Sequence, residues 1–251
     1  MPKVSVIIIT KNESAHIDQA LASVAWADER IVVDAESTDD TAARARRAGA
    51  RVEIEPWPGY GQQKNFAASL ASHDWIFSLD ADERVSDPLA REIRGLLGDA
   101  PSRQGYRMPR VTWYMGQWIR STDWYPDLQL RLYNRRSATW STSKVHESVV
   151  LGEEAGLLSG ELLHYAFRDL SHHLHTIDRY TTLAAEQMHE EGRRTGVWRL
   201  AVHPPAAFFR NAILRGGLRD GSVGLIVSAM NAYYVFLKFA KLWERQHRAS
   251  S

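Results

Sequence analysis

The 251-residue sequence contains no cysteine, which excludes a disulfide framework, a thiolate zinc site and a cysteine nucleophile. It also lacks a Gly-x-Gly-x-x-Gly motif after its first predicted strand and has no Gly-x-x-x-x-Gly-Lys-Ser/Thr motif. The usual dinucleotide-binding and P-loop signatures are therefore absent. The apolar run at residues 4–9 is too short for a secretory signal and leads into polar residues. We therefore expect a cytoplasmic protein.

Charge is distributed unevenly along the chain. The net charge is only +1, but positions 1–192 hold 28 acidic and 21 basic side chains, a net charge of −7. Positions 193–251 hold 2 acidic and 10 basic side chains, a net charge of +8. The basic C-terminal part is therefore expected to meet an anionic partner, for which we predict a membrane surface and no nucleic acid.

Short apolar runs alternate with helical patterns from Val4 to Leu79. The predicted strands are residues 4–9, 30–34, 51–55 and 75–79. This βαβαβαβ succession predicts an α/β fold with a mostly parallel, Rossmann-like sheet. Short strand-like pieces follow up to residue 164. From Leu170 onward the pattern is helical, with one helix predicted to start at Pro204-Pro205.

The fourth strand ends in acidic residues. Asp80 and Asp82, separated by Ala81, directly follow a run of mostly apolar residues. Ligands of open α/β sheets bind outside the carboxyl ends of the strands, so both carboxylates can reach one point there. Two hard oxygen donors suit Mg²⁺ or Mn²⁺ carrying the phosphates of a substrate. The alternative is a solvated turn before a helix, where acidic residues are favoured in any case.

Three motifs in this order resemble those of the family 2 glycosyltransferases. They are Ser-Val-Ile-Ile-Ile-Thr-Lys-Asn-Glu (5–13), Val-Val-Asp-Ala-Glu-Ser-Thr-Asp-Asp-Thr (32–41) and Leu-Asp-Ala-Asp (79–82). The resemblance implies an inverting enzyme with a GT-A domain at residues 1–165 and a helical extension at 166–251. Residues 216–221 and 236–242 are similar to bacterial lipopolysaccharide core glucosyltransferases. Two features depart from the common pattern, since Ile9 replaces a proline and Ala35-Glu36 replaces Asp-Gly.

The resemblance also implies a donor site for a UDP-sugar. The implied nucleotide-binding residues are Thr10, Glu13, Asp34, Lys64, Asn65 and Asp80. Asp34 is expected to accept a hydrogen bond from uracil N3–H, and Asp80 to lie near the ribose. Asp82, with Asp80, is expected to bind Mg²⁺ or Mn²⁺ at the diphosphate. The alternatives are a helix-capping role for Asp34 and an exposed helix face for Lys64.

An inverting transfer needs a general base on the acceptor hydroxyl. The resemblance implies Asp127 as this base, and Arg131 as a clamp on the diphosphate or a group that positions the base. A turn-capping role for Asp127 after Pro126 is the alternative. Glu147, next to His146, is the second candidate for the base.

The C-terminal part contains an apolar stretch at residues 223–237, about 15 residues against the ~20 needed to span a bilayer. Basic residues flank it: Arg210, Arg215, Arg219, Lys238, Lys241, Arg245 and Arg248. This pattern predicts a helix in the interface of an anionic membrane, peripheral on the inner face of the cytoplasmic membrane. The alternative is a helix packed on the body or in a homodimer. His172, His173 and His175 do not share one helix face and are predicted at the surface or facing the membrane.

The implied function is transfer of a hexose, expected to be glucose, from a UDP-sugar to a lipopolysaccharide inner-core sugar or similar glycolipid. A sugar-nucleotide nucleotidyltransferase is the enzymatic alternative, although residues 10–13 lack its Gly-rich loop. An Asp-x-Asp phosphatase is disfavoured because Glu83-Arg84 follow the second aspartate. A non-catalytic, membrane-associated nucleotide-binding module would explain the basic tail but leaves the acidic strand ends unexplained.

Overall fold

The structure is a computed structural model that describes residues 2–141 and 148–248. The chain forms two compact units, and we call the first the sheet unit and the second the helical unit. The sheet unit is Met1–Arg110 with Asp127–His164, and the helical unit is Val111–Pro126 with Tyr165–Ser251. The domain division predicted at residue 165 stays a prediction, and the short segment 111–126 groups with the C-terminal residues.

Twelve strands occur in the part of the chain that the structure describes. They are β1 (Val4–Thr10), β2 (Glu29–Asp34), β3 (Arg51–Ile54), β4 (Trp75–Asp80), β5 (Glu83–Val85), β6 (Gly105–Tyr114), β7 (Gln117–Ile119), β8 (Asp127–Asn134), β9 (Ala138–Trp140), β10 (Val149–Leu151), β11 (Gly156–Leu157) and β12 (Leu162–His164). The helices are α1 (Ile17–Ser23), α2 (Thr41–Arg47), α3 (Tyr60–Ser69), α4 (Asp87–Gly98), α5 (Leu170–Glu190), α6 (Val197–Phe209) and α7 (Gly221–Arg248).

The main sheet has the strand order β3-β2-β1-β4-β8-β6-β12-β5. The first four strands are parallel, as the βαβαβαβ pattern predicts, and β8 pairs antiparallel with β4. β7 and β11 pair with β6 outside this path, and β9 forms a separate hairpin with β10. The predicted α/β class with a mostly parallel N-terminal sheet and a helical C-terminal part is confirmed.

β1 is buried along its whole length because helices cover both faces of the sheet. Successive residues of a strand point to opposite faces. Val6 and Ile8 accordingly pack in the hydrophobic cluster with α1 and α4, whereas Ile7 and Ile9 pack in the cluster with α3. The continuous β-branched run in the sequence reflects this double burial and fixes β1 at the centre of the parallel strands.

The helical unit contains α5, α6 and α7, with a π-helical segment at Arg210–Leu214 and a 3-10 turn at Gly217–Asp220. The predicted helix start at Pro204-Pro205 is wrong, because both prolines lie inside α6. The helix begins directly after Gly196, so the prolines fall in its second half, where each removes one backbone donor. A proline pair therefore did not mark the helix boundary in this chain.

The three clustered histidines of α5 differ in their burial. His175 is exposed, as predicted, whereas His173 is buried, so its predicted surface position is wrong. The Nδ1 atom of His173 lies 2.9 Å from the Tyr114 hydroxyl, and its ring centroid lies 4.2 Å from that of Phe167. Burial lowers the pKa of His173 to about 4, so the ring is neutral at physiological pH. The covering aromatic residues come from distant sequence positions, which is why helix periodicity could not indicate this burial.

The C-terminal helix is longer than the apolar stretch that predicted it. Gly217–His247 forms one stretch of 31 helical residues that is long and apolar enough to cross a membrane. Of the 18 consecutive residues that make it apolar enough, 22% are buried. Length and composition alone fit a core helix equally well. α7 packs against α5 and α6, with Phe239 and Leu242 in a small hydrophobic cluster.

Candidate functional site

Asp80, the last residue of β4, lies between two buried cations. Its Oδ1 atom is 3.0 Å from Lys64 Nζ and its Oδ2 atom is 2.6 Å from Arg131 Nη2. Burial alone would raise the pKa of Asp80, but the charges of Arg131 and Lys64 lower it far below its usual range. Lys64 is therefore not an exposed helix residue, because its ammonium group is buried against Asp80 and lies 4.2 Å from the centroid of the Trp140 ring.

Glu83, at the start of β5, connects two arginines inside the sheet unit. Its fully buried carboxylate accepts hydrogen bonds from Arg131 Nη2 at 2.7 Å and Arg110 Nη1 at 3.0 Å. It also accepts from the backbone N–H of Asp80 at 3.0 Å. Three donors on one buried carboxylate fix its position and that of both guanidinium groups.

Asp127, the first residue of β8, lies directly opposite Arg110 of β6. Arg110 donates to Asp127 Oδ2 through Nη2 at 2.6 Å and Nε at 2.8 Å, and Gln129 Nε2 donates to Oδ1 at 2.6 Å. Charges of alternating sign thus follow one another in a single network, which consists of Lys64, Asp80, Arg131, Glu83, Arg110 and Asp127. The network links the end of β4 to the residue predicted as the general base.

Asp82 lies beside His164, the last residue of β12. The antiparallel register pairs Glu83 with His164, which brings His164 Nε2 to 3.3 Å from Asp82 Oδ2. Burial raises the pKa of Asp82, but the hydrogen bond and charge of His164 outweigh this effect and lower it below its usual value. About a third of the Asp82 side chain remains exposed, in contrast to the buried Glu83.

The ends of β1 and β2 carry the residues predicted to contact the nucleobase. Thr10 pairs with Asp34, and Ile9 pairs with Asp80, so the three strands end together. Because Ile9 and Thr10 are consecutive, the pleat directs Asp34 and Asp80 to opposite faces of this edge. The Asp34 carboxylate accepts from the backbone N–H and the hydroxyl of Ser37 in the turn before α2. It does not cap that helix, whose N-cap residue is Asp40. The buried hydroxyl of Thr10 has no hydrogen-bond partner among the described residues.

Glu13 and Asn65, two further residues of the predicted nucleotide site, make local contacts. The backbone N–H of Glu13 donates to Thr41 Oγ1 at 2.8 Å. The Asn65 amide donates to the Trp140 carbonyl at 2.9 Å and accepts from the Trp140 N–H at 2.9 Å, so it ties α3 to β9. The nucleotide-binding roles of both residues stay predictions. The second candidate base, Glu147, and its neighbour His146 lie outside the described residues.

Known proteins match this chain over the residues that build the site. The profile of glycosyl transferase family 2 matches residues 5–144. The chain is 34% identical over 248 residues to the lipopolysaccharide core biosynthesis glycosyltransferase LpsC of Rhizobium meliloti, covering 96% of this chain and 92% of that protein. The chain belongs to glycosyl transferase family 2. An uncharacterized glycosyltransferase of Rickettsia typhi is 33% identical, with coverage of 97% of this chain and 88% of that one.

The family membership and the GT-A fold class predicted from the sequence motifs are thereby confirmed. Among solved structures, the glucosyl-3-phosphoglycerate synthase of Mycobacterium tuberculosis in complex with Mn²⁺ and UDP-glucose is 28% identical. The match covers 43% of this glycosyltransferase and 44% of that chain, with a TM-score of 0.39, so the likeness is partial.

A metal ion in this glycosyltransferase would find a sparse set of protein donors. Among the described residues no group of three or more His, Asp or Glu side chains is arranged to hold a metal. Both Asp80 oxygens are bound by cations, whereas the partly exposed Asp82 carboxylate lies beside the His164 imidazole. Mg²⁺ and Mn²⁺ at diphosphates take one or two protein ligands and fill their other positions with phosphate oxygens and water. The donor set therefore fits such an ion.

The sequence named Lys64, Asp80, Asp82, Asp127 and Arg131, which the structure brings close together, but it gave no role to Glu83, Arg110 and His164. Glu83 was visible as the last member of the acidic cluster and received no role. Arg110 and His164 carried no local signal, since each meets its partner only through the antiparallel pairing of strands. The antiparallel half of the sheet thus completes the site that the parallel half begins.

Proposed function

We propose that this family 2 glycosyltransferase transfers a hexose, with glucose as the first donor to test, from a UDP-sugar to a lipopolysaccharide inner-core sugar or similar glycolipid. The observation that carries the proposal is the largely buried charge network from Lys64 to Asp127. It fixes charged groups in a water-poor environment, which is how enzymes stabilise the charge that develops during transfer. The name of the relative LpsC supports the acceptor class.

In this proposal the donor nucleotide lies along the carboxyl ends of β1, β2 and β4. The Thr10 hydroxyl and the Asp34 carboxylate contact the nucleobase and ribose, where Asp34 accepts from uracil N3–H. Asp80 faces the ribose, and Lys64 balances its charge. Glu13 and Asn65 complete the site as predicted from the family resemblance.

The diphosphate of the donor lies at Asp82 in the proposal. Asp82 and His164 would hold Mg²⁺ or Mn²⁺, and the bound ion would supply neutralisation of the diphosphate charge as UDP leaves. Because Lys64 and Arg131 already bind Asp80, the proposal assigns the metal to Asp82 first.

The proposed base is Asp127. It takes the proton of the acceptor hydroxyl while the hydroxyl oxygen forms a bond to the anomeric carbon and the bond from that carbon to UDP breaks. Attack opposite the leaving group inverts the anomeric configuration. Arg110 holds one Asp127 oxygen in place, and Arg131 acts through Glu83 and Arg110 as a positioning residue. Glu147 stays the second candidate for the base.

Two variants separate donor binding from transfer. In titration calorimetry with UDP and Mn²⁺, we expect Asp82→Ala to lose the Mn²⁺-dependent part of UDP binding and Asp127→Asn to keep it. Mass analysis of a truncated lipopolysaccharide with UDP-glucose should show one added hexose, and Asp127→Asn should slow this step by about 10²–10⁴-fold. Asp99→Asn, at the exposed end of α4, is the matched control with normal turnover.

Each outcome has a definite meaning. Near-normal turnover of Asp127→Asn would assign the base to Glu147. Release of a nucleotide-sugar product without a heavier glycolipid would indicate nucleotidyl transfer instead. UDP binding without any reaction over a screen of donors would leave a nucleotide-binding module and reject the proposed transfer.

A further inference from the structure

The helical unit exposes an unusual amount of apolar surface in one segment. Among the described residues, eight large apolar side chains are exposed by more than half, and six of them lie between residues 197 and 218. They are Val197, Trp198, Phe209, Ile213, Leu214 and Leu218. Trp198 is 75% exposed and Leu214 82% exposed, so these side chains do not contribute to the core. We call this segment, residues 197–218, the α6 surface.

α6 is apolar on both of its faces. Leu200 and Ala207 lie on the side that packs against α7. Residues at intervals of four, three and four form a stripe on the opposite side, which consists of Trp198, Val202, Pro205 and Phe209. Arg199 and His203 are the polar side chains of this helix. A helix that is apolar all round is normally buried in a protein or in contact with a membrane.

The charged residues within and directly before the α6 surface in the sequence are all basic. Residues 193–219 contain no acidic residue and six arginines, namely Arg193, Arg194, Arg199, Arg210, Arg215 and Arg219. Arg210 and Arg215 form ion pairs with Asp123 yet remain about half exposed. Exposed aromatic and aliphatic side chains beside several arginines match the interface of a bilayer that contains anionic lipids.

Two alternatives fit less well, namely a second copy of the chain on the α6 surface and α7 as the membrane-contacting helix. A symmetric contact with a second copy would bring the same six arginines of each chain together, and like charges in such an interface repel. The apolar stretch of α7, which the sequence favoured for the membrane, is for the most part half-buried, because α7 packs against α5 and α6. Its most exposed apolar residues, Leu225, Tyr233 and Phe236, are each exposed by less than half.

We propose that the α6 surface docks this protein on an anionic lipid bilayer, with Trp198 and Leu214 inserted below the headgroups and the arginines at the phosphates. The purpose of docking, access to a glycolipid acceptor, rests on the proposed function. The binding itself does not, since it needs only the helical unit's own apolar and basic side chains.

Flotation of the full chain with lipid vesicles tests the proposal. We expect the protein to float with vesicles of phosphatidylcholine and phosphatidylglycerol and to remain unbound with phosphatidylcholine alone. Trp198→Ser with Leu214→Ser should reduce binding at least tenfold, because it removes the two most exposed apolar side chains of the α6 surface. Neither side chain contributes to the core, so the variant should still fold. The matched control, Val150→Ser with Leu157→Ser, removes two apolar residues of the sheet unit that are also exposed by more than half, and it should bind normally.

Three results would overturn the proposal: unchanged flotation of the Trp198/Leu214 variant, equal binding to both kinds of vesicle, or light scattering that shows a dimer which this variant converts to a monomer. UDP binding by the same proteins separates this proposal from the proposed function. If transfer to a detergent-dispersed acceptor succeeds while flotation fails, the docking surface is wrong and the enzyme assignment stands. If flotation succeeds and transfer fails, the docking surface stands and the proposed transfer is wrong.

Discussion

The two units treat buried polar groups in opposite ways. The sheet unit buries charged side chains, including Lys64, Glu83 and Arg131, and pairs each with an opposite charge. In the described part of the helical unit, the buried polar side chains are neutral, with His173 and Asn211 as the largest. Its described arginines and lysines lie at the surface or are partly exposed.

This difference separates two tasks. Burying a charge costs free energy unless the charge is paired. The sheet unit nevertheless joins six charged side chains in one largely buried network, which creates a fixed electric field inside this unit. In the proposed function, the network serves to bind a diphosphate and to stabilise its departure. A unit that keeps its interior neutral and its cations outside is suited to contact with an anionic surface. This difference therefore supports the proposed transfer in the sheet unit and the proposed docking in the helical unit.

The largest expected effect comes from breaking the buried network at its centre. Glu83→Gln keeps the size of the side chain but removes the negative charge between Arg131 and Arg110. We expect the free energy of unfolding to fall by about 3–5 kcal/mol, because two cations lose a partner that they cannot replace with water. Urea unfolding of the purified variant measures this change.

The control for this prediction is Glu53→Gln. Glu53 pairs with Arg51 at the surface, where both side chains are about half exposed, so its loss should change the free energy of unfolding by less than about 1 kcal/mol. Similar losses in the two variants would mean that the Glu83 network is no more important for stability than a surface ion pair.

As the pH falls, the helical unit should lose stability at a higher pH than the sheet unit does. His173 has its pKa lowered to about 4 in the folded chain, against an ordinary value of 6.5. Between pH 6.5 and 4, this histidine therefore binds a proton in the unfolded chain but not in the folded chain. Its contribution to the free energy of unfolding is complete above pH 6.5 and is lost as the pH falls to 4. The loss is on the order of 2–3 kcal/mol. Asp80, whose pKa is lowered, contributes stability that persists until the pH falls below about 4.

Urea unfolding at pH 7 and pH 4.5 checks the acid response. His173→Phe keeps an aromatic ring among Tyr114, Trp124 and Phe167 and should flatten the pH dependence in this range. His175→Gln changes an exposed residue of the same helix and should leave the dependence as it is. An equal slope in the His173 variant and the unchanged protein would remove the proposed contrast between the units.

The same contrast explains how much the sequence could predict. The parallel half of the sheet carries local signals, because each strand is a short apolar run that ends at a polar residue. These signals predicted β1, β2, β3 and β4 together with Asp80 and Asp82. In the antiparallel half, the family resemblance named Asp127 and Arg131. Arg110 and His164 had no signal, because register between distant strands decides which charges meet.

Burial in the helical unit was harder to predict for a related reason. Its residues pack against the segment 111–126, which residues 127–164 of the sheet unit separate from the C-terminal helices in the sequence. His173 is buried by Tyr114 and Trp124 of that segment, and helix periodicity contains no information about them. The exposed stripe of α6 was hidden by the prolines, which suggested a later helix start.

The smallest expected effect concerns the backbone. Glu36 stands where the family commonly has glycine and adopts a φ of 55°, while Thr122 of the helical unit adopts a φ of 64°. A residue with a Cβ atom is disfavoured by roughly 1–2 kcal/mol in this conformation, and glycine's greater freedom in the unfolded chain offsets part of that. Glu36 is exposed, so Glu36→Gly should raise the free energy of unfolding by about 0.5–1 kcal/mol.

Thr122→Gly relieves the same backbone conformation but should give no net gain. Thr122 is fully buried, and its hydroxyl accepts a hydrogen bond from the Trp124 N–H at 3.3 Å. Removing this side chain leaves a cavity and an unpaired donor, which together offset the relief of the backbone. Urea unfolding of the two variants side by side measures both effects. A higher free energy of unfolding in both variants would show that Thr122 adds little to the packing of the helical unit. A higher value for Glu36→Gly alone would mean that the backbone strain of the sheet unit at this turn lies at the surface, where a single substitution removes it.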